Sequence, residues 1–408
     1  MSESIYPLNI QSAKELEAAV KRIGADPRSL AYFQPKRRMR HFYVRRADFR
    51  AASFLKQELL ARGGDAVVAK HVIDGRAEYS DVLLMGTDRQ LQSLLQKMKA
   101  MDIWGLKNLR EALAASLTGT ALSDWRLALP RGRELRLSDR TKIMGILNLT
   151  EDSFYPESRV AGGDDLLARA GAMLEDGADV LDVGAESTRP GATPVDGREE
   201  AARLCPAVKA LRTAFPDAVI SVDTYRGDVA LEAVEAGADI INDVGGFELS
   251  PDMLPRAAQA GVPFILSHFR GTLADMKNPA PYEDLLSELN LWFQKKMEAA
   301  EGAGLDRERL ILDPGLGFAK KGEDNLVILR EAESLAVFGR PILIGHSRKR
   351  FTGTATGADD VSQRLTGTLA VSALLEGRAQ MIRVHDVKEN RRAMDMARAV
   401  REALPCRP

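Results

Sequence analysis

From residue 142 onward, short apolar runs alternate with segments that carry Ala, Leu and Glu at helical spacing. The runs begin near residues 142, 179, 219, 239, 263, 310, 341 and 381. Several of the intervening stretches end at a glycine, as at Gly177, Gly237 and Gly261. Strand–helix units repeated in this way predict a parallel sheet. Eight units over about 260 residues predict a (β/α)8 TIM barrel, because a doubly wound sheet usually has only about six strands.

The first 120 residues predict a separate, small α/β module of their own. Ser12 and Glu15 form a capping-box pattern ahead of an amphipathic helix. HFYVRR at 41–46 is typical of a strand, and ADFRAASFLKQELLARGG predicts a helix that ends at a glycine pair. DAVVAKHVI and EYSDVLLMG predict two further strands, and two amphipathic helices follow them. We therefore expect a module at 1–120, a linker within 116–124 and a barrel domain at 121–408.

The segment WRLALPRGRELRL lies just before the barrel and alternates apolar with polar residues. Trp125, Leu127 and Leu129 precede a turn near Gly132, after which the alternation resumes. This pattern predicts a β-hairpin. We expect the hairpin to cover the N-terminal end of the barrel.

Composition narrows the class of protein. The 408 residues are 45% hydrophobic and 28% charged, and the formal net charge is −1, so no global field favours nucleic acid or an anionic membrane. The basic run PKRRMRHFYVRR is interpreted as a solvated or intramolecular patch rather than a nucleic-acid site. The sequence has two cysteines, too few for a disulfide framework, and no long apolar stretch or secretory signal. We expect a cytoplasmic protein.

Polar residues follow each apolar run, at the strand ends where barrel enzymes build their active sites. They are Asn148 and Asp152, then Glu186 to Arg189, Asp223, Asn242 and Asp243, His268, Asp313, Ser347 to Lys349, and Arg383 with His385. Arg189, Lys349, Arg383, His385 and Asn148 suit a polyanion such as phosphate. Asp223, Asn242 and Asp313 suit a flat heterocycle that presents ring N–H donors. These residues alone predict a barrel enzyme for a phosphorylated, nitrogen-rich substrate.

Seven ordered segments carry a family resemblance. IMGILNLTEDSF, ESTRPGA, SVDT, IINDVGG, LDPGLGFAK, GHSRKRF and IRVHDV resemble, in order and spacing, those of dihydropteroate synthases, over roughly residues 124–400. The resemblance implies an enzyme that joins 6-hydroxymethyl-7,8-dihydropterin pyrophosphate to 4-aminobenzoate and releases pyrophosphate. It also implies Mg2+ as the cofactor and a homodimer.

The resemblance further implies a role for individual residues. Asp223, Asn242 and Asp313 would hold the pterin ring, and Lys349 would reach its carbonyl and ring nitrogen. Arg383, His385 and, through Mg2+, Asn148 would bind the pyrophosphate. Phe318, Thr188, Arg189, Pro190 and Ser347 would form the aminobenzoate subsite. Asp152 among the catalytic residues, and Lys320 and Arg348 among the substrate-binding residues, complete the expected site.

Some positions depart from the family pattern. Glu151 stands where a proline is usual, Tyr155 and Pro156 alter the first loop, and Ala185 stands where glycine is common. His346 stands where a small residue is usual. For both His346 and His268, the sequence allows either a contact with substrate or a structural role. A modified arylamine therefore remains an alternative second substrate.

Two other functions stay open. A pterin-dependent methyltransferase would share the barrel and the Asp/Asn pterin site, although Ser347, Lys349 and Phe318 favour the synthase. A non-catalytic pterin-binding protein would fit the altered first loop, although Lys349, Arg383 and His385 argue against it.

Overall fold

The computed structural model describes residues 5–10, 12–121, 124–149, 159–184, 196–271, 281–358 and 360–404, the side chains of 121 and 159–164 excepted. It divides into two compact units. One contains the described residues up to Ala121 together with those from Val400, and the other contains the described residues between them. Each unit has its own cluster of buried apolar side chains.

The first unit is a three-stranded antiparallel sheet with helices. Its elements are α1 (Ala13–Ile23), α2 (Leu30–Phe33), β1 (Met39–Asp48), α3 (Phe49–Leu60), β2 (Asp65–Val68), β3 (Tyr79–Thr87), α4 (Asp88–Met98) and α5 (Leu106–Ala121). The strand order is β1-β3-β2. Leu55, Leu59 and Leu91 lie in its core. The smaller α/β region expected from the sequence is thus present.

Three local features of this unit follow from side-chain chemistry. The expected capping box forms, because Ser12 Oγ accepts from the Glu15 amide while Glu15 Oε2 accepts from the Ser12 amide. The strand expected at DAVVAKHVI is shorter than its apolar run and ends at Val68. Helix α5 continues through 116–121, so the first part of the expected linker is helical. Hydroxyls on this helix, such as that of Thr120, donate to backbone carbonyls four residues earlier. They therefore do not form the local turn bonds by which Ser and Thr often end a helix.

Contacts in the basic run are made within the first unit. Arg40 Nε donates to Asp88 Oδ1 at 3.0 Å, and Lys36 Nζ lies 3.4 Å from the centroid of the Tyr32 ring. These contacts engage two of its cations without any partner molecule.

The second unit opens with a hairpin, β4 (Arg126–Ala128) and β5 (Glu134–Arg136), and continues as strand–helix units. Its strands are β6 (Lys142–Asn148), β7 (Val180–Gly184), β8 (Val219–Asp223), β9 (Ile240–Asp243), β10 (Phe264–Ser267), β11 (Leu310–Asp313), β12 (Leu343–Gly345) and β13 (Met381–Val384). Its helices are α6 (Arg159–Glu175), α7 (Gly197–Ala214), α8 (Gly227–Ala236), α9 (Met253–Ala260), α10 (Leu285–Gly302), α11 (Gly322–Arg330), α12 (Arg350–Thr356), α13 (Leu365–Leu375) and α14 (Val387–Glu402).

These strands form a parallel barrel. They are ordered β11-β10-β9-β8-β7-β6-β13-β12, and a parallel bridge between Leu312 and Ile342 joins β11 to the stretch leading into β12. The predicted (β/α)8 architecture is confirmed. Within the described ranges, none of the helices has the length and apolarity needed to cross a membrane.

The barrel interior changes character along each strand. Val180, Ile240, Ile265, Ile311 and Met381 belong to one apolar cluster at the N-terminal side. Two residues further along the same five strands, the side chains are Asp182, Asn242, Ser267, Asp313 and Arg383. Because side chains of a strand alternate with a period of two, these polar residues face the same interior. The barrel is therefore apolar at its N-terminal end and polar at its C-terminal end.

The hairpin covers the apolar end, as expected. Trp125, Leu127 and Leu135 pack in the same cluster as the first interior residues of the strands. Beside it, the fully buried carboxylate of Asp239 contacts three arginines. Arg131 Nη2 lies 2.5 Å and Arg212 Nη2 2.6 Å from its oxygens, and Arg133 is the third partner. Asp239 therefore joins the hairpin to the barrel.

Replacing Asp239 with Asn is expected to lower the free energy of unfolding by about 2–3 kcal/mol. Breaking a buried ion pair leaves charge uncompensated, and the arginines here remain partly exposed to water, which moderates the loss. Urea unfolding followed by circular dichroism measures the change. The control is Asp217→Asn at an exposed position nearby. Equal stability of the two variants would show that Asp239 does not hold the hairpin in place.

Candidate active site

The polar end of the barrel collects side chains from five of the eight strands, β7, β8, β9, β11 and β13. Asp182, Asp223, Asn242 and Asp313 are each at most 8% exposed, and Arg383 is only 21% exposed in its side chain. Strand register aligns Asp223 with Gly184 on one side and with Asn242 on the other. The structure thus brings Asp223, Asn242 and Asp313, predicted to bind a heterocycle, together with Arg383, predicted to bind a polyanion.

An ion-pair cluster lies at the centre of this site. Arg383 Nε donates to Asp182 Oδ2 at 2.6 Å, and Arg383 Nη2 donates to Asp223 Oδ2 at 2.5 Å. Asn242 Nδ2 donates to the same Asp182 oxygen at 3.1 Å. One guanidinium thus holds two buried carboxylates, which fixes the position of all three side chains.

Asp182 was missed by reasoning from the sequence. It lies inside the apolar run of β7, whereas prediction from the sequence considered only the polar residues that follow each run. The available signal was the period of two: Val180, Asp182 and Gly184 share one face of the strand. A carboxylate on the interior face of a buried strand needs a partner, and Arg383 is that partner.

Several buried acceptors in this region are not engaged by the protein. Asp182 Oδ1, Asp223 Oδ1, Ser221 Oγ and Ser267 Oγ make no hydrogen bond to any residue that the structure describes. Buried polar atoms are usually paired. A ligand that presents N–H groups would therefore satisfy atoms that the chain itself leaves available.

Burial changes how these carboxyl groups titrate. Burial raises the pKa of Asp223 to about 7, with Arg383 opposing the shift and Asp182 adding to it. Burial also raises the pKa of Asp313, against the opposing charge of Lys349. Both groups therefore change protonation closer to neutral pH than an exposed carboxyl does.

The loop after β11 carries an aromatic face. The Lys349 ammonium lies 4.6 Å from the centroid of the Phe318 ring and donates to the Leu316 carbonyl. Burial lowers the pKa of Lys349 to about 8, although Asp313 works in the opposite direction. Phe318 is half-buried, so part of its ring stays accessible beside the cation.

The ends of β12 and β13 are linked through side chains. Ser347 Oγ lies 3.0 Å from His385 Nδ1 and accepts from the His385 amide at 3.2 Å. Arg348 binds both oxygens of Asp386 at 2.8 Å and donates to the carbonyls of Val361 and Ser362. The head group of Arg348 is therefore used within the chain, whereas Ser347 and His385 lie beside the site.

The remaining residues predicted for the site lie in different places. Asn148 is exposed at the end of β6, where its carbonyl accepts from Arg169. Lys320 and His268 are buried and in contact, with 2.9 Å between Lys320 Nζ and His268 Nδ1. Asp152, Thr188, Arg189 and Pro190 lie outside the described residues. Among the described residues there is no group of three or more His, Cys, Asp or Glu side chains that could hold a metal.

His346 and Cys205 pack rather than face the site. His346 is fully buried, and its Nε2 lies 2.8 Å from Ser372 Oγ. Burial lowers the pKa of His346 to about 4, so the ring is neutral. Cys205 packs against the barrel core, and burial raises the pKa of its thiol to about 11.

Comparison with known sequences identifies some relatives that match the barrel alone and others that match most of the chain. The family described as pterin binding enzyme matches residues 144–385. The dihydropteroate synthase of Synechocystis sp. is 41% identical over 262 residues, which are 64% of this chain and 90% of that protein. A probable bifunctional folylpolyglutamate synthase/dihydropteroate synthase of Haloferax volcanii is 36% identical over 365 residues.

The Haloferax match covers 88% of this chain but 43% of that protein, so this chain spans less than half its length. Since the barrel unit is confined to 122–399, that match also includes part of the first unit.

Comparison with solved structures gives the same result. The Xanthomonas albilineans dihydropteroate synthase, solved with 4-aminobenzoic acid, matches with a TM-score of 0.62 at 38% identity. The match covers 69% of this chain and 99% of that one. Because the matched family spans more than half of the sequence, and because the Synechocystis enzyme is matched over nearly its whole length, this chain belongs to the pterin binding enzyme family, among the dihydropteroate synthases.

Proposed function

We propose that the chain condenses 6-hydroxymethyl-7,8-dihydropterin pyrophosphate with 4-aminobenzoate, or a modified arylamine, and releases pyrophosphate. The observation that carries this proposal is the buried cluster of Asp182, Asp223 and Arg383, with Asn242 and Asp313 beside it. Its free acceptors suit the ring N–H and amino donors of a pterin, and Lys349 suits its carbonyl.

The pyrophosphate would lie toward the ends of β12 and β13. Arg383 already uses Nε and Nη2 for the ring-side carboxylates, so it lies at the boundary between the two halves of the substrate. His385 and Ser347 are held together just beyond it. Their donors, with the guanidinium, would stabilise negative charge as the leaving group departs.

The arylamine would lie against Phe318. A half-buried phenyl ring offers an apolar face to a second aromatic ring, and the contact with Lys349 places this ring beside the pterin side of the site. Ser347 follows β12, as Lys349 does, and would border the same subsite.

For the cofactor, we propose Mg2+ held by the amide oxygen of Asn148 together with oxygens of the pyrophosphate. A site with few protein ligands suits this ion, which is usually bound by one or two side chains plus substrate phosphates. Asn148 fits, because it is exposed at the C-terminal end of β6. When bound, Mg2+ would neutralise charge on the leaving group.

The chemistry requires little proton transfer from the protein. The bond between the pterin methylene carbon and the pyrophosphate oxygen breaks, and its electron pair leaves with pyrophosphate. The neutral arylamine nitrogen forms the new carbon–nitrogen bond and then loses one proton to solvent or to pyrophosphate. The role of the chain is to orient the ring, hold the amine and stabilise the leaving group.

For assembly, we propose a homodimer through the outer helices of the barrel. Leu326 on α11, Leu374 on α13 and Met396 on α14 are all exposed apolar side chains, and such residues at an interface would be removed from water. Light scattering in solution measures the assembly.

Release of pyrophosphate is expected to require the arylamine and Mg2+ together. The purified chain is incubated with pterin pyrophosphate, with and without 4-aminobenzoate, and pyrophosphate and dihydropteroate are quantified. Omission of either the amine or the ion is expected to abolish turnover, and a mock purification from cells that lack the chain controls for contaminating hydrolases. Full-rate release without an amine would identify a hydrolase and overturn the proposal.

Asp313→Asn and His385→Gln are expected to fail differently. An amide in place of the Asp313 carboxylate leaves ring donors poorly paired, which costs about 1–3 kcal/mol in binding of free pterin. His385→Gln should weaken binding of the pyrophosphate form while the affinity for free pterin stays within about twofold, or roughly 0.4 kcal/mol. Calorimetry with both ligands separates the two, and equal loss of free-pterin affinity in both variants would contradict the division of the site.

Affinity for a neutral pterin is expected to fall as the pH is lowered from about 8 to about 5. The pKa of Asp223 is raised to about 7 and that of Asp313 is also raised, so at low pH these groups must lose protons to accept ring N–H bonds. Each proton released contributes up to about tenfold per pH unit. Calorimetry in buffers of different ionisation enthalpy counts the protons, and Asp223→Asn should flatten the dependence. A pH-independent affinity of the wild-type chain would rule out carboxylate recognition.

A further inference from the structure

Lys320 lies at the end of the loop that follows β11 and is only 7% exposed. Its Nζ lies 2.9 Å from His268 Nδ1, 2.9 Å from the Gly315 carbonyl oxygen and 3.1 Å from that of Phe318. An ammonium group has three N–H donors and no acceptor. Because all three donors have partners inside the chain, none is left for a substrate. The expectation that Lys320 binds substrate directly therefore does not fit these contacts.

His268 is a rigid anchor for this lysine. It is 3% exposed, its amide donates to the Asp313 carbonyl at 2.8 Å, and its ring centroid lies 4.8 Å from that of Trp292. Burial lowers the pKa of His268, with the charge of Lys320 adding to the shift. The imidazole is therefore neutral, and with Nδ1 accepting from Lys320 its proton lies on Nε2.

The loop that Lys320 holds has an unfavourable backbone. Gly315 has φ +65°, and a Cβ at this position would lie 2.2 Å from the His268 carbonyl oxygen. Ala319, which has a side chain, adopts φ +47°. Left-handed backbone at a non-glycine residue persists only where the surroundings hold it. Lys320 supplies such support by bonding carbonyls on both sides of the loop tip.

Phe318 is consequently held by two lysines. Lys320 Nζ bonds the Phe318 carbonyl, while Lys349 Nζ lies over the Phe318 ring and bonds the preceding Leu316 carbonyl. Burying an ammonium is costly unless its donors are satisfied. That cost lowers the pKa of Lys320 to about 7, with Asp313 opposing the shift. A methionine would fill a similar volume without it, so the amino group at position 320 is used for bonding the loop rather than for packing.

We propose that Lys320 is a positioning residue that fixes the orientation of Phe318, and thereby the arylamine side of the site, through the loop after β11. The inference rests on the proposed function for its kinetic consequence. The structural part of the proposal, that Lys320 and His268 hold the loop, does not depend on which reaction is catalysed.

Lys320→Met is expected to raise the KM for the arylamine at least tenfold while the KM for pterin pyrophosphate changes less than threefold. The reason is that the ring carboxylates lie on strands, whereas Phe318 lies on the loop that loses its support. Lys320→Arg should give an intermediate KM for the arylamine, since it keeps the charge but presents its donors in a planar fork. Circular dichroism confirms that each variant is folded.

Two matched comparisons isolate the contact. Lys321→Met changes the exposed neighbouring lysine and should leave both KM values unchanged. His268→Gln should raise the KM for the arylamine in the same direction but by less than Lys320→Met, because Lys320 keeps its bonds to the Gly315 and Phe318 carbonyls. The double variant should be no worse than Lys320→Met, because residues acting through one contact are not additive. Additive losses, or equal increases in both KM values, would overturn the proposal.

A spectroscopic readout separates this proposal from the proposed function. In a chain labelled with 4-fluorophenylalanine, the Phe318 resonance is assigned with Phe318→Leu. Lys320→Met should shift or broaden that resonance, and Lys321→Met should not. Such a change in a chain without turnover would sink the proposed function and support the positioning role. An unchanged resonance in Lys320→Met would overturn the positioning role even if the enzyme is active.

Discussion

The charge and hydrogen-bonding capacity of the polar end of the barrel depend on one buried guanidinium. Arg383 pairs with Asp182 and Asp223 at the level where the interior changes from apolar to polar. Buried carboxylates are tolerated only when paired, and here a single cation neutralises two of them only in part. The remaining negative charge and free oxygen atoms suit a ligand rich in N–H donors. At the opposite end, the hairpin closes the apolar layer, so the two ends of one barrel have separate tasks.

Much of this arrangement could be predicted from the sequence, because a strand has a simple period and a barrel has a fixed polarity. The eight apolar runs correspond to the strands, and polar residues placed after them, such as Asn242 and Asp313, meet at one end. Asp182 was missed because it lies within an apolar run. The helical continuation over 116–121 was missed because Ser, Thr and Gly usually indicate a linker, whereas here the hydroxyls bond within the helix.

The direction of long side chains could not be predicted. Arg348 and Lys349 are adjacent, yet Arg348 binds Asp386 while Lys349 lies over Phe318. From the sequence, both side chains were predicted to contact the substrate. The difference arises from backbone conformation, since Arg348 has φ +50° and so departs from the path that its neighbours follow. Lys320 shows the same limit, because its partner His268 is 52 residues away.

The unusual histidine at position 346 is explained by the interior of the chain. Ser372 Oγ donates to Asn390 Oδ1 at 2.6 Å, so it must accept from His346 Nε2, which places the histidine proton on that nitrogen. Asn390 in turn donates to the Asp386 carbonyl, and Asp386 binds Arg348. His346 thus begins a chain of hydrogen bonds that leads back to the segment following β13. Its partners lie within the chain, so this departure from the family pattern concerns the support of the site and gives no reason to expect a different arylamine.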